Sequence, residues 1–262
     1  MSTEPVMRVN YHAHTYRCHH AAGTEREYVE AAIAAGYRVF GFADHTPQPF
    51  PEGYVSRIRM TMEELEGYVR TVTDLQREYR GQIEIPLGLE VEYYPALFPE
   101  LLRRAREYPI EYFLLGQHHL NSEVGGAYSG FPTEDPERLR LYCAQSLEAL
   151  ETGYFACFAH PDLIHFTGDR EIYRREMEAM LRRVKTLGLP VELNMLGLGE
   201  GRNYPDPLFW SLVQEMDLPV IWGLDAHRPA HIGDQRVLAL AAEFTDRYGL
   251  RLVQEIDRTR LR

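Results

Sequence analysis

Four histidines of this 262-residue chain lie close together, at positions 12, 14, 19 and 20. They follow a short apolar run. A β-strand there would direct His12 and His14 to the same side, because side chains along a strand alternate between its two faces. Two imidazoles on one face provide half of a metal site. The other ligands must come from elsewhere in the chain.

Side chains of metal-ligand type follow each of seven apolar runs along the chain. They are His12 and His14, Asp44 and His45, Glu90 and Glu92, His118 and His119, His160, Asn194, and Asp225 and His227. A single histidine or carboxylate after a strand is more often a surface, hydrogen-bonded or helix-capping residue. The presence of such side chains after all seven apolar runs favours one shared site, because the carboxyl ends of parallel strands carry the catalytic groups of α/β folds.

The types of these side chains indicate which ions they would bind. Imidazole and carboxylate without thiolate suit a divalent cation such as Zn, Mn or Fe. Nine candidates, with Glu90 and Asp225 able to bridge, exceed the three or four protein ligands of a single zinc site. The sequence therefore predicts two or three metal ions.

The elements that would position these residues follow a repeating pattern. Apolar runs alternate with amphipathic stretches, which is typical of parallel strands joined by helices. The predicted strands are residues 8–12, 38–43, 83–89, 112–116, 155–159, 190–193 and 219–224, and the predicted helices are 24–35, 61–79, 97–107, 135–150, 170–187, 207–216 and 235–248. We expect an α/β fold, a TIM-barrel-like (β/α)7 barrel in one domain spanning 1–262, with an open doubly wound sheet as the alternative. Residues 250–256 would form an eighth or a peripheral strand.

Composition limits the kinds of partner. The chain is 45% hydrophobic and 26% charged, with a formal net charge of −11. That charge argues against a basic surface for nucleic acid or an anionic membrane. Three cysteines, Cys18, Cys143 and Cys157, indicate no disulfide framework. With no signal pattern and no apolar run long enough to span a membrane, a cytoplasmic location is expected.

The same residues carry a resemblance to a known family. Their ordered motifs resemble those of the polymerase and histidinol phosphatase (PHP) superfamily over almost the whole chain. The motifs are His12-Ala13-His14 with His20, Ala43-Asp44-His45, Gly88-Leu89-Glu90, Gly116-Gln117-His118-His119, Ala159-His160-Pro161-Asp162, and Gly223-Leu224-Asp225-Ala226-His227-Arg228-Pro229. Within this superfamily the chain is most similar to bacterial histidinol-phosphate phosphatases. The resemblance implies a distorted seven-stranded barrel, a trinuclear metal cluster, and hydrolysis of L-histidinol phosphate in histidine biosynthesis.

The resemblance also implies the ligand set. The ligands carried over are His12, His14, His20, His45, Glu90, His119, His160, Asp225 and His227. His20 is preferred to His19 because the family spacing from the second histidine is six residues. His119 is preferred to His118 because the family pattern Gly-Ser-x-His aligns with Gly116 to His119.

The implied mechanism is in-line attack on phosphorus by a water that bridges two metals. Asp44 or His231 would protonate the leaving alkoxide. Substrate-binding candidates are Arg202, Arg59, Arg17, Arg228, Asn194 and His118. The chain departs from the family where an arginine usually follows Asn-x-x-Gly-Leu. Here Glu200 stands before Arg202, and a carboxylate would repel a phosphate dianion.

Other classes of function remain open. An amidohydrolase also begins with His-x-His, but its binuclear form needs a strand-end lysine, and Lys185 lies in a helical pattern. A PHP phosphoesterase acting on nucleotides or nucleic-acid ends, a broad-specificity phosphatase and a non-catalytic scaffold are the further alternatives. We expect a small phosphorylated substrate rather than nucleic acid or a membrane, and the oligomeric state is open.

Overall fold

A computed structural model describes residues 7–261 of the chain, in which parallel strands alternate with helices. The strands are β1 (Val9–Asn10), β2 (Val39–Phe40), β3 (Phe42–His45), β4 (Leu87–Val91), β5 (Tyr112–Leu115), β6 (Phe155–Phe158), β7 (Val191–Asn194), β8 (Pro219–Gly223) and β9 (Arg251–Leu252). Every pair of neighbouring strands is parallel. The predicted α/β class is therefore confirmed.

Amphipathic helices connect the strands. They are α1 (Glu25–Ala34), α2 (Glu64–Glu78), α3 (Phe98–Ala105), α4 (Pro136–Glu151), α5 (Arg170–Leu187), α6 (Met195–Glu200), α7 (Pro207–Glu215) and α8 (Gln235–Tyr248). Local chemistry sets their ends. Thr24 and Glu27 form a capping box before α1, and Gly188 ends α5 in a left-handed conformation that glycine adopts without steric cost. No helix among residues 7–261 has the length and apolar character needed to cross a membrane.

The sheet closes on itself through the first strand. β3 to β9 pair in chain order, and β1 pairs with β2. Beyond β1, Ala13 forms a parallel bridge with Ala226, just after β8, and the Ala43 amide donates to the Ala13 carbonyl at 2.8 Å. β1 and the residues that follow it thus lie between β2 and β3 on one side and β8 on the other, which closes the barrel as in a TIM-like barrel. The barrel is distorted, because β6 and β7 share only one ladder pair, Phe158 with Val191.

The registers of neighbouring strands align their carboxyl ends at one end of the barrel. His45 pairs with Glu90 across β3 and β4, and Asn194 pairs with Gly223 across β7 and β8. Side chains that follow these positions therefore emerge at the same end of the barrel. The opposite end is filled by Tyr112, which is buried within a small apolar cluster inside the barrel.

The structure changes some predicted elements and decides between the alternatives for the tail. The strand predicted at residues 83–89 is β4, Leu87–Val91. The predicted strand 38–43 is two strands, β2 and β3, interrupted at Gly41. A Cβ on Gly41 would lie 2.4 Å from the Tyr112 hydroxyl, so the backbone passes too close to that ring for a larger residue. Helix α6 was not predicted, because it is short and contains two glycines. The tail forms β9, a peripheral two-residue strand beside β8.

Candidate metal centre

Eight potential ligands from six strand ends, and a ninth from the loop after β1, meet at the carboxyl end of the barrel. His12 and His14 follow β1, His45 ends β3, Glu90 lies in β4, His118 follows β5, His160 follows β6, Asp225 and His227 follow β8, and His20 follows the 3₁₀ turn Tyr16–Cys18. Six of these side chains are buried. The cluster therefore extends from the barrel interior to its mouth, where His20 is exposed.

Carboxylates and imidazoles approach closely in the interior of the cluster. His160 Nε2 lies 2.7 Å from Glu90 Oε1, and His14 Nε2 lies 2.9 Å from Asp225 Oδ1. His12 Nε2 lies 3.6 Å from each of those two carboxylates. Glu90 and Asp225 thus each lie close to more than one imidazole, in positions from which each could contact two ions.

Several atom pairs in the cluster are better explained by a shared cation than by hydrogen bonds. His45 Nδ1 lies 2.8 Å from Glu90 Oε2, yet neither atom has a hydrogen-bond partner among residues 7–261. The Nε2 atoms of His12 and His14 are 3.2 Å apart, and those of His20 and His227 are 3.0 Å apart. Two unprotonated ring nitrogens repel at such distances unless a proton or metal lies between them.

Ligand atoms gather in overlapping groups of three. His12 with His160 and Asp225 form one group, and His14 with His45 and His227 form another, with all atoms of a group within 4.8 Å of one another. Such spacing is compatible with coordination of one ion by each group, since metal–nitrogen and metal–oxygen bonds are about 2.0–2.2 Å long. The donor set therefore fits more than one divalent metal ion.

A second layer of carboxylates supports the ligands. His12 Nδ1 contacts Glu192 Oε2 at 2.7 Å, His14 Nδ1 faces Asp44 Oδ1 at 3.4 Å, and His118 Nδ1 faces Glu92 Oε1 at 3.2 Å. Such partners hold the Nδ1 proton and leave Nε2 free for a metal. Glu192 is absent from the predicted site residues, although it lies two residues before Asn194 in β7 and so shares its face.

Electrostatics in the buried cluster also favour cations. Burial alone would raise the pKa of Glu90, but the rings of His118, His45 and His12 hold that pKa well below its usual range. Burial would likewise raise the pKa of Asp225, and the facing histidines lower it well below the usual range. Positive charge around these buried carboxylates therefore stabilises their anionic forms, and metal ions supply that charge more strongly than protonated imidazoles.

Backbone strain marks two of the ligands. His160 has φ 29° and Asp225 has φ 50°, in the left-handed region that residues other than glycine rarely adopt. Each such conformation costs on the order of 1–3 kcal/mol. The backbone is thus strained in the two turns that directly follow β6 and β8, where His160 and Asp225 enter the cluster.

The structure revises the choice between two adjacent histidines. The His118 ring lies 4.8 Å from the His160 ring and 5.1 Å from the His45 ring, centroid to centroid. The His119 ring instead lies 5.5 Å from Tyr128, and its Nδ1 faces Glu92. The geometry favours His118 as the ligand, against the predicted preference for His119. The family pattern could not resolve this, because the chain leaves β5 at Leu115 and strand alternation no longer applies.

Two predicted phosphate-binding arginines are corrected by the structure. Arg59 is buried and donates to Glu92 at 2.6 Å, to Glu123 at 2.7 Å and to the Thr46 carbonyl at 3.2 Å. Arg17 is also buried and pairs with Glu25. Both guanidinium groups are occupied within the protein, so they stabilise loops rather than face a substrate.

Two other predicted roles change for similar reasons. The Asn194 side chain caps α6 by accepting from the Gly197 amide at 2.9 Å, and its amide donates to Glu192 and Asp225. It positions a ligand and does not face the cavity. Asp44, predicted as a proton donor, is fully buried beneath His14 and accepts hydrogen bonds from Thr15 and from the His45 amide. It is a positioning residue.

A cavity of about 530 Å³ opens above the cluster. Arg202 and Arg228, two of the predicted substrate-binding residues, lie in its wall with His231, the other predicted proton donor. Tyr128 and Tyr204 also line it, and Arg202 donates to the Tyr204 hydroxyl at 2.9 Å. The cavity therefore combines a metal-binding floor with cationic and phenolic side chains.

The chain is similar to known proteins in sequence and in fold. A "Probable histidinol-phosphatase" from Deinococcus radiodurans is 30% identical over 229 residues, covering 85% of this chain and 87% of that protein. The "Histidinol-phosphatase" of Bacillus subtilis is 23% identical and covers 85% of this chain and 94% of its own length. The fold is similar to that of the histidinol phosphate phosphatase from Lactococcus lactis, whose crystal structure contains zinc, L-histidinol and phosphate. That likeness has a TM-score of 0.72, 19% identity, and coverage of 96% of this chain and 99% of the other.

A family model agrees with these relatives. The model described as "PHP domain" matches residues 10–195, a segment that contains the ligands from His12 to His160 and more than half of the chain. The chain belongs to the PHP domain family.

Proposed function

We propose that this chain is a metal-dependent phosphomonoesterase that hydrolyses L-histidinol phosphate to L-histidinol and phosphate, in histidine biosynthesis. The observation that carries this proposal is the convergence of nine imidazole and carboxylate ligands beneath a cavity with two arginines in its wall. Phosphate monoesters need charge neutralisation at the phosphoryl oxygens, and this end of the barrel concentrates the groups that provide it.

The proposed ligands are His12, His14, His20, His45, Glu90, His118, His160, Asp225 and His227. Divalent cations held by them, two or three of Zn, Mn or Fe, would supply Lewis acidity and an activated water near neutral pH. The protein itself holds the imidazoles in orientation through Asp44, Glu92 and Glu192, and it keeps bulk water away from the floor of the cluster by burial.

Side chains in the cavity wall would handle the substrate. Arg202 and Arg228 line the cavity, and guanidinium groups such as theirs would donate to phosphoryl oxygens. His231 is the proposed proton donor to the leaving alkoxide. Its Nδ1 accepts from the His227 amide at 3.3 Å, which holds the ring in the cavity wall beside a ligand.

The names of the relatives support the substrate. Two relatives named as histidinol-phosphatases cover 85% of this chain, and the Lactococcus structure holds L-histidinol and phosphate. We also propose one phosphoesterase domain over residues 1–262 and a cytoplasmic location, where cysteines stay reduced. In line with that, Cys18, Cys143 and Cys157 are buried and free.

The test compares substrates on metal-replete protein. Bound metals are measured elementally, and turnover of L-histidinol phosphate is compared with that of phenyl phosphate and of a nucleoside monophosphate. We expect a preference of at least about tenfold in kcat/KM for L-histidinol phosphate, or about 1.4 kcal/mol of transition-state discrimination. A smaller preference would overturn the biosynthetic assignment and leave a broad-specificity phosphatase.

A further inference from the structure

Glu200 places a negative charge in the wall of the substrate cavity. It is the last residue of α6 and lines the cavity with Arg202 and Arg228. Among residues 7–261, Asp225 is the other carboxylate in that lining, and Asp225 lies 2.9 Å from the ligand His14. Glu200 is therefore the lining carboxylate that is not committed to the metal cluster.

The contacts of Glu200 leave part of its carboxylate free. Arg202 Nε and Nη2 both approach the same oxygen, Oε2, at 2.8 and 2.7 Å. Oε1 has no protein hydrogen-bond donor within the described part of the chain, and the side chain is 51% exposed. This oxygen is available to a cationic group that enters the cavity.

The short helix α6 connects Glu200 to the metal cluster. Asn194, the N-cap of α6, donates to Asp225 Oδ2 at 3.0 Å. Six helical residues span roughly 9 Å at 1.5 Å per residue. Glu200 and the ligands His20, His45 and Asp225 line the same cavity.

The substrate proposed above carries charges of both signs. L-histidinol phosphate has a phosphate dianion and, two carbons away, an ammonium group at neutral pH. A carboxylate in the wall repels an ester that is only anionic, whereas it attracts one that also carries an ammonium group. Glu200, which looks unfavourable when the phosphate alone is considered, becomes favourable for an amino-alcohol phosphate.

We propose that Glu200 binds the ammonium group of the substrate and so determines specificity for amino-alcohol phosphates over other phosphomonoesters. This inference rests on the proposed function. The ammonium group would bind the free Oε1, while Arg202, which contacts Oε2 and lines the same cavity, would bind the phosphoryl group. The two side chains then receive the two charges of one substrate.

The test is a two-by-two comparison of enzyme and substrate. Glu200→Gln and the unaltered enzyme are each assayed with L-histidinol phosphate and with 3-(imidazol-4-yl)propyl phosphate, which lacks only the amino group. For Glu200→Gln we expect the KM for L-histidinol phosphate to rise about tenfold, which is 1.4 kcal/mol, with kcat changed much less. The KM for the amine-free analogue falls, because the repulsion is removed.

Glu243→Gln is the matched control. Glu243 pairs with Arg247 at 2.8 Å on the exposed face of α8 and does not line the cavity, so this variant removes the same charge elsewhere. It should not alter the ratio of the two KM values. An equal rise of both KM values in Glu200→Gln overturns the inference, because Glu200 would then act only through Arg202. If the unaltered enzyme itself does not prefer L-histidinol phosphate, the proposed function fails and the inference fails with it.

Discussion

The two ends of the barrel interior hold opposite chemistries. At the amino end Tyr112 fills the space, and its hydroxyl lies 2.7 Å from the Tyr11 carbonyl and 3.0 Å from the Phe42 carbonyl. A Cβ on Gly88 would lie 2.3 Å from the same ring. At the carboxyl end His45 Nδ1 and Glu90 Oε2 face each other at 2.8 Å without a hydrogen bond. The polar groups at the amino end are satisfied by protein contacts. Those at the carboxyl end need cations between them.

The amino end of the barrel thus contributes to stability and the carboxyl end to function. Close packing and a satisfied hydroxyl make the amino end stabilising by itself. Ionised carboxylates and facing imidazoles make the carboxyl end unfavourable until metal ions bind, and binding to the folded state alone then stabilises that state. Substitutions at the two ends should therefore affect different measurements.

Loss of a bridging ligand should have the largest effect. Asp225→Asn removes the anion that lies 2.9 Å from His14 Nε2, and His14→Ala removes that ring. We expect both variants to lose metal and activity together, with kcat/KM lowered more than about a thousandfold, or about 4 kcal/mol. Elemental analysis and turnover measure this. Full activity in either variant would mean that the cluster has been assigned to the wrong residues.

Loss of a supporting carboxylate should have an intermediate effect. Glu192→Gln keeps the shape of the side chain but weakens its contact with His12 Nδ1. We expect metal affinity to fall about 10–100-fold, measured by competition with a chromophoric chelator. Glu178→Gln, which removes a glutamate paired with Arg182 on α5, is the control. Unchanged affinity in Glu192→Gln would show that His12 needs no such orientation.

The smallest effect is expected at the amino end. Tyr112→Phe removes the hydroxyl that contacts two carbonyls and should lower the free energy of unfolding by about 1–2 kcal/mol. Metal content and kcat/KM should stay as they are. Urea unfolding and elemental analysis make the comparison, and loss of metal in this variant would show that the two ends are coupled.

Elements were predictable from the sequence where their signals are local. The helix α5 was predicted with the bounds that the structure has, because its apolar spacing and terminal glycine are both local features. The order of the strands that carry His45, Glu90 and Asp225 was predictable in the same way, but their bounds were not, since His45 lies within β3 and Glu90 lies within β4 rather than after them. Buried partners were not, since Arg59 pairs with Glu92 and Glu123, which lie 33 and 64 residues away. Nothing near Arg59 in the sequence distinguishes it from a free arginine.

The ligand assignments show the same limit. His12 and His14 were placed on one face by strand alternation, and although β1 ends at Asn10, the bridge between Ala13 and Ala226 continues the ladder between them. His119 was preferred to His118 on the family pattern alone, and strand alternation could not check that choice, because the His118 amide already turns back to the Gly116 carbonyl at 3.1 Å. Glu192 could have been found, since period two places it beside Asn194. Its role as a partner of His12, 180 residues away, could only come from the fold.

The left-handed backbone at His160 and Asp225 has an evolutionary consequence. Glycine is the residue that relaxes such a conformation, but glycine carries no ligand atom. Selection for stability therefore favours glycine at these two positions, whereas selection for metal binding favours the ligands His160 and Asp225. A lineage that loses its dependence on the ions should accumulate glycine, or asparagine, at these two positions first.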